Sequence, residues 1–209
     1  DAAGNTTTAS QTITIIPLEA EVTVSDALCN GFSNGMAEVI PSGGIPPYAY
    51  DWGSYGNEPD VEGLAAGTYP VTVSDVNGCS ITVNAVIDEP AELNIGTSTV
   101  TDATCNSGND GQIIAGTVTG GTPDSSGNYQ YSIDNTNFND TGVFENLSAG
   151  NYTIFVKDEN ECSLQTSVTV GDPAVLSATL SKTDVKCFGE STGVISLTKP
   201  TGGHGKYEY

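Results

Sequence analysis

Apolar and polar residues alternate with a period of two over much of this chain. The alternation is clearest in residues 68–74, 80–87, 152–156 and 165–170, where β-branched and aromatic side chains hold every second position. No stretch shows a convincing helical period. Asn77-Gly78 stands between two of these runs, which predicts a β-hairpin whose two central residues adopt positive φ. Short strands with turn signals at short intervals predict an all-β fold of antiparallel β-sandwich modules of immunoglobulin, fibronectin or polycystic-kidney-disease type. The candidate core of the first module is Tyr50, Trp52, Leu64, Tyr69, Val71 and Val73. That of the second is Tyr131, Ile133, Phe144, Leu147, Tyr152, Ile154 and Val156. The glycine turns before Tyr69 and Tyr152 predict a corner where the tyrosine ties its strand to the preceding loop.

The pattern repeats. Cys29-Asn30-Gly31 aligns with Cys105-Asn106-Ser107 and with Cys187-Phe188-Gly189. Each is followed by an apolar run, a glycine pair (Gly43-Gly44, Gly120-Gly121, Gly202-Gly203) and a tyrosine-alternating segment (48–50, 129–131, 207–209). Gly63-Leu64-Ala65-Ala66-Gly67-Thr68-Tyr69 matches Asn146-Leu147-Ser148-Ala149-Gly150-Asn151-Tyr152, and the stretch from Asp75 to Cys79 matches that from Asp158 to Cys162. Each copy closes on an acid and a Pro-Ala linker, Pro90-Ala91 and Pro173-Ala174. Self-similarity at this period marks an array of small domains. Complete modules are expected at 19–90 and 91–173. Residues 1–18 read as the tail of a preceding copy, and 174–209 as the first half of a following one. The second module carries extra residues at 124–128 and 135–141, placed where turns tolerate length.

Charge narrows the function. The 209 residues include 26 acidic and 5 basic side chains, for a net charge of −21. There is no arginine, and the first lysine is Lys157. Nucleic-acid binding needs clustered Lys and Arg, which the chain lacks. An arginine clamp on phosphate is likewise excluded. No run of about 18 apolar residues predicts a membrane-spanning helix. The hydrophobic fraction of 37% separates the chain from acidic disordered tails.

The combination of Cys29-Asn30-Gly31, Gly43-Gly44-Ile45-Pro46-Pro47-Tyr48, the Gly63 to Tyr69 stretch and Asp75-Val76-Asn77-Gly78-Cys79 resembles the SprB-type repeats of Bacteroidota gliding-motility adhesins. The second module, with Tyr131 to Phe138 followed by Val143 to Leu147, is similar to a common variant. The resemblance covers essentially the whole chain. Asn5, where a second cysteine is expected in the leading copy, and Phe188 depart from the pattern. The resemblance implies a very long, repetitive protein on the outer face of a bacterial cell, exported by the type IX system. Its implied partners are the gliding and secretion machinery and external surfaces or polysaccharide.

The five cysteines occur at one early and one late position per copy. In an exported acidic chain this reads as disulfides. Pairing within modules, Cys29–Cys79 and Cys105–Cys162, is the first expectation, with the partner of Cys187 outside the sequence. By loop entropy each such bond contributes roughly 4 kcal/mol. The rival arrangement pairs Cys79–Cys105 and Cys162–Cys187 and leaves Cys29 unpaired.

Calcium is the one metal for which the chain offers ligands, since Ca²⁺ takes six to eight oxygens from Asp, Asn and carbonyls. The candidates are Asp102, Asn109 and Asp110 in one loop, with Asn106 beside them, and the hairpin pairs Asp75/Asn77 and Asp158/Asn160. The linker acids Asp88, Glu89 and Asp172 stand near the latter in sequence. Turns demand the same residue types without any ion. No catalytic residue is nominated. The single histidine, His204, lies between glycines, and no Ser or Cys nucleophile has a base beside it in sequence. Trp52, Tyr55 and Tyr48 are a conceivable sugar-stacking group, though their framework positions favour packing. The expected function is therefore a segment of a cell-surface adhesin or stalk, involved in gliding and attachment. The alternative is a carbohydrate-binding or spacer array of a secreted multidomain enzyme.

Overall fold

The computed structural model describes residues 16–204 and 206–208. The proposed preceding-copy tail (1–18) lies almost wholly outside these residues, as does Tyr209. The chain divides into two compact units, one ending at Pro90 and the other starting at Ala91.

The first unit holds β1 (Glu19–Ser25), β2 (Gly35–Ser42), β3 (Ala49–Asp51), β4 (Asp60–Leu64), β5 (Gly67–Ser74) and β6 (Ser80–Ile87). They form two antiparallel three-stranded sheets, ordered β1-β2-β4 and β3-β5-β6. This is the division of an immunoglobulin-type sandwich into its A-B-E and C-F-G sheets. Period-two sequences form strands here because every second side chain enters the space between the sheets. Gly35, Ala37 and Val39 of β2 are buried while Met36, Glu38 and Ile40 face outward. The core joins Ala37, Val39, Val61 and Leu64 to Tyr69, Val71, Val73, Ala85 and Ile87, with Trp52 closing one side. Five of the six residues nominated from sequence lie in it, and Tyr50 packs against it.

The second unit repeats the plan with β7 (Asn94–Ile95), β8 (Thr99–Thr101), β9 (Gly111–Ile114), β10 (Val118–Thr119), β11 (Gln130–Ser132), β12 (Val143–Leu147), β13 (Gly150–Lys157) and β14 (Ser163–Val170). Its main sheets are β12-β9-β8 and β11-β13-β14, and β7 pairs with β10. The counterparts of β1 and β2 are each split in two. At the split, Gly96 donates to the Thr117 carbonyl at 2.8 Å, and a Cβ on Gly116 would overlap the backbone of Gly96. Two glycines let the two strands close to backbone contact there. The core holds Ile113, Val118, Phe144, Leu147, Ile154, Val156 and Val170, with Tyr131, Ile133 and Tyr152 packed at its edge. The third copy contributes the hairpin β15 (Leu180–Thr183) and β16 (Val194–Leu197), whose residues are exposed along both strands.

The tyrosine corner forms in both complete copies. Tyr69 Oη donates to the Ala65 carbonyl and Tyr152 Oη to that of Ser148, each at 2.8 Å. A second tyrosine contact recurs three times: Tyr48, Tyr129 and Tyr207 donate to the carbonyls of Gly43, Gly120 and Gly202 at 2.6, 2.7 and 2.7 Å. The hairpin expected at Asn77-Gly78 is present, but its turn differs. Only Gly78 has positive φ, and the loop runs from Asp75 to Cys79, with Gly78 donating to the Asp75 carbonyl at 3.0 Å. The longer loop is favoured because the Asp75 carboxylate accepts from the amides of both Asn77 and Cys79 at 2.9 Å.

The extra residues of the second copy close on themselves. Asp124 accepts from the amides of Ser126 and Asn128, and Asp134 from Thr136, Asn137 and the Ser132 hydroxyl. The Asn137 amide, then its side chain, holds the Asp134 carboxyl well below the usual carboxylate range, with Thr136 and Ser132 adding to it. Asp124 is lowered chiefly by the Asn128 amide, and Asp110 by the Thr104 hydroxyl. A depressed folded-state pKa contributes stability that is fully present above the unfolded value near 4 and lost as pH falls toward the folded one. The melting temperature of the second unit should therefore drop below about pH 4. Asp134→Asn should flatten that drop, as read by thermal melts between neutral and strongly acid buffer. Parallel curves for the two proteins would show that Asp134 carries none of the effect.

Candidate functional site at the module poles

Side-chain contacts of Asp, Asn and Glu that recur between the copies gather at the two ends of each sandwich. At the N-terminal pole, the incoming chain, the glycine pair and the β5–β6 or β13–β14 hairpin lock together. In the second copy Gly121 donates to the Ala91 carbonyl at 2.8 Å, and Glu159 to that of Thr122 at 2.9 Å. The Asp158 carboxylate, 3% exposed, accepts from the amides of Thr122, Asn160 and Cys162 at 2.7, 3.0 and 2.9 Å. In the first copy Asp75 does the same for Ile45, Asn77 and Cys79. These buried carboxylates stand in place of water for backbone donors that the turn leaves without strand partners.

At the C-terminal pole, the loop after the first strand grips the outgoing linker. Asn30 Nδ2 donates to Glu89 Oε1 at 3.0 Å and to the Pro90 carbonyl at 3.1 Å, while the Gly31 amide donates to Glu89 Oε2 at 2.6 Å. The second copy reproduces the set. Asn106 Nδ2 reaches Asp172 Oδ2 and the Pro173 carbonyl, both at 3.0 Å, and the Ser107 amide reaches the same carboxylate at 3.1 Å. A second carboxylate holds the end of the last strand: Asp26 accepts from the Asp88 amide at 2.8 Å and Asp102 from that of Gly171 at 2.6 Å. A shorter acid in the second linker, Asp172 for Glu89, thus occupies the same cradle.

The calcium candidates are placed by these contacts. Asp75 and Asp158 spend their oxygens on backbone amides, Asp102 serves Gly171, and Asp110 accepts from the amide and hydroxyl of Thr104. Asn109 is exposed, and Asn106 turns to the linker rather than to Asp110. Asn77 and Asn160 bring their backbone amides to the hairpin carboxylates. Among the described residues no group of three His, Cys, Asp or Glu side chains converges as a metal site would require. Sequence reasoning singled out these acids and asparagines as calcium candidates; it grouped the linker acids with the hairpin and missed that Glu89 and Asp172 are acceptors for Asn30 and Asn106, although the matched spacing of Asn and linker acid was visible.

The cysteine pairings expected from sequence are both overturned. Cys29 and Cys162 are disulfide-bonded, whereas Cys79, Cys105 and Cys187 carry free thiols. The reason within each module is distance. Cys79 sits at the hairpin, while the Cys29 loop sits by Glu89, and all of β6 (Ser80–Ile87) runs between them. Eight extended residues span roughly 26 Å, against a limit of about 7 Å between the Cα atoms of a disulfide. Cys105 and Cys162 are separated in the same way by β14. The rival pairs, Cys79–Cys105 and Cys162–Cys187, fail as well, because Cys79, Cys105 and Cys187 are thiols.

The aromatic group also dissolves. Trp52 is 3% exposed and donates its indole N–H to the Glu58 carbonyl at 3.0 Å. Tyr48 is tied to Gly43, and only Tyr55 is largely exposed, its ring edge-on to Tyr69 at 5.0 Å.

No helix among the described residues is long and apolar enough to cross a membrane. No curated protein matches the chain. Among solved structures, it is similar to the N-terminal eight immunoglobulin domains of Down syndrome cell adhesion molecule, isoform 1.30.30, at 12% identity and a TM-score of 0.36. That alignment covers 76% of this chain and 25% of the other, so this chain spans about a quarter of the longer array. The SprB repeat model matches at three places, residues 22–55, 97–138 and 179–209. Each match contains a cysteine loop and the glycine pair that follows it, and together they take in just over half of the sequence. The chain belongs to the SprB repeat family.

Proposed function

We propose that this chain is a load-bearing segment of a repetitive bacterial surface adhesin, displayed outside the cell, exported by the type IX system and engaged in gliding and attachment. The recurrence of the linker cradle carries this reading. Asn30 with Glu89, and Asn106 with Asp172, hold each outgoing linker by the same side-chain contacts. A stalk that transmits force along its length uses the same end contact on successive modules. The net charge of −21 keeps neighbouring stalks apart through mutual repulsion. Nothing in the cradle or the hairpin supplies a nucleophile with a base, so we assign the modules no enzymatic role.

Antibodies raised against residues 19–173 test the reading on living cells. They are expected to label intact, unpermeabilised cells, to move along the surface during gliding, and to slow attachment. Labelling that appears only after permeabilisation would overturn it. The alternative, a carbohydrate-binding array, rests on Tyr55 alone. Binding on a glycan array that disappears in Tyr55→Ala would favour that alternative.

A further inference from the structure

We propose that Asn77 is a self-modifying site: in the folded first module its side-chain amide is lost by attack of the Gly78 nitrogen, which sets a slow chemical clock at the hairpin pole. Asn followed by Gly is the pair in which this attack meets least hindrance, because glycine has no Cβ beside its nitrogen. The sequence holds three such pairs, Asn30-Gly31, Asn34-Gly35 and Asn77-Gly78, all in the first module. As sequence they are equivalent. The fold makes them unequal.

Two of the pairs are closed. At Asn30 both groups that would react are engaged. The side-chain nitrogen donates to Glu89 Oε1 at 3.0 Å and to the Pro90 carbonyl at 3.1 Å, and the Gly31 amide donates to Glu89 Oε2 at 2.6 Å. The glycine nitrogen must give up its proton before it attacks, and a carboxylate that accepts from that N–H opposes the loss. At Asn34 the side-chain carbonyl accepts from the Leu28 amide at 3.0 Å, and Gly35 is buried at the start of β2, opposite Leu64 of β4. A Cβ on Gly35 would meet Ile87 Cγ2 at 2.6 Å and the Leu64 carbonyl oxygen at 2.9 Å. That glycine is wedged and cannot turn its nitrogen toward the side chain.

Asn77 is open on each of these counts. Asn77 and Gly78 are both exposed, and nothing lies within 4 Å of a Cβ built on Gly78. The Asn77 side chain makes no hydrogen bond with any described residue; its contact is through its backbone amide, to Asp75 Oδ1 at 2.9 Å. The Gly78 amide donates to a neutral acceptor, the Asp75 carbonyl, at 3.0 Å. A single turn bond at the tip of a hairpin opens by local fluctuation, without unfolding the sheets.

When that bond opens, the Gly78 nitrogen loses its proton to hydroxide and attacks Asn77 Cγ. The Cγ–Nδ2 bond breaks, and Nδ2 leaves as ammonia with a proton taken from water. A cyclic imide remains, which water opens at either carbonyl. Opening at the backbone carbonyl leaves isoaspartate, with the chain running through the former side chain; opening at Cγ leaves aspartate. No electrons are exchanged: amide and water become carboxylate and ammonium. Either product places a new carboxylate beside that of Asp75, which accepts from the amides of residue 77 and of Cys79. Like charge in one turn, and in isoaspartate an added backbone carbon, work against the contacts that hold this pole. The second module is spared. Its hairpin has Glu161 where the first has Gly78, so a Cβ hinders the nitrogen, and the Glu161 side chain is paired with Lys157 at 2.9 Å. Two modules built on one plan thus differ in chemical lifetime.

The test follows the 209-residue chain in mildly alkaline buffer, both folded and in guanidinium. Chymotrypsin then separates the three asparagines, because Phe32 stands between Asn30 and Asn34, and Tyr50 between Asn34 and Asn77. Mass spectrometry reads the exchange of NH₂ for OH, and methylation by isoaspartyl methyltransferase reads isoaspartate. In the folded chain Asn77 is expected to convert at least about tenfold faster than Asn30 or Asn34, and in guanidinium the three rates should converge. Gly78→Ala should silence Asn77 in the folded chain. Glu89→Ala should raise conversion at Asn30 and leave Asn77 unchanged. Equal rates at the three sites in the folded chain, or conversion of Asn77 seen only in guanidinium, would overturn the proposal.

Discussion

Asp75→Ala is expected to destabilise the first module by about 3 kcal/mol or more, the largest loss from any single side chain outside the hydrophobic core. Asp75 is 8% exposed, and its carboxylate accepts from the amides of Ile45 at 3.1 Å and of Asn77 and Cys79 at 2.9 Å. A hydrogen bond to a charged acceptor contributes about 1.5–3 kcal/mol, and a buried donor left without a partner costs about 1–3. Alanine removes three such bonds and brings no acceptor in return. Water entering the vacated space recovers part of the loss, which is why the expectation stays below the simple sum. The module reports on itself, because the sole tryptophan, Trp52, is buried in the same core. Urea denaturation followed by its fluorescence gives the first unit's stability apart from the second. Glu62→Ala, an exposed acid on β4, is the control and should stay within roughly 0.5 kcal/mol of the parent. If Asp75→Ala is no more damaging than the control, the hairpin carboxylate is not the keystone described above.

Gly43→Ala should cost a comparable amount for a different reason. Gly43 has φ +69°, and a Cβ there would fall inside the carbonyl oxygen of Pro17. The glycines in the same place in the other copies, Gly120 and Gly202, would meet the carbonyls of Glu92 and Val175. Positive φ alone costs a residue with a Cβ about 1–2 kcal/mol. The overlap adds more, because the obstacle is backbone and the Tyr48 hydroxyl is bonded to the Gly43 carbonyl, which hinders a shift. Gly78→Ala separates the two contributions: its φ is +80°, and nothing lies within 4 Å of the added carbon. We expect roughly 1 kcal/mol for Gly78→Ala and about 3 or more for Gly43→Ala, on the same fluorescence measurement. Equal losses would mean that the incoming strand gives way easily and that only the dihedral angle matters.

The second copy shows how strictly these angles are kept. Where the first copy has Gly31, Gly63 and Gly78, the second has Ser107, Asn146 and Glu161, and all three retain positive φ. The turn conformation is imposed by the contacts around it. Ser107 is held by Asp172, and Glu161 donates its amide to the Asp158 carbonyl while its side chain meets Lys157 at 2.9 Å. Only one of the three, Asn146, is a residue type that favours this region. A reader of the second copy alone would not place turns at all three positions, and the alignment to the first copy is what exposes them.

Much of the molecule could be read before any coordinates. The alternation in 68–74 and 80–87 appears as β5 and β6, and the tyrosines after the glycine turns make the corner bonds expected of them. Local spacing suffices in these cases, because a period of two and a turn four residues back are both contained in one short segment. The omitted core residues, Ala37, Val39 and Ile87 among them, lie in runs whose inward face is ambiguous until the opposing sheet is known. The hairpin turn was misjudged for a related reason. Asn77-Gly78 favours a two-residue loop in isolation, and the carboxylate of Asp75, bonded also to Ile45 across the module, selects the longer one.

The sequence alone determined that the protein is an acidic tandem array of β-sandwich modules of one family, because repetition, period-two patterning and charge are properties of the linear chain. Only the tertiary structure decided where the acids and cysteines stand and which backbone groups the acids hold. Asp, Asn and Cys at fixed spacing are compatible with calcium loops, sugar sites or bonds inside a module. The choice depends on which end of a sandwich each residue reaches. That is set by the eight-residue strands β6 and β14, which carry the hairpin cysteines and the loop cysteines to opposite poles.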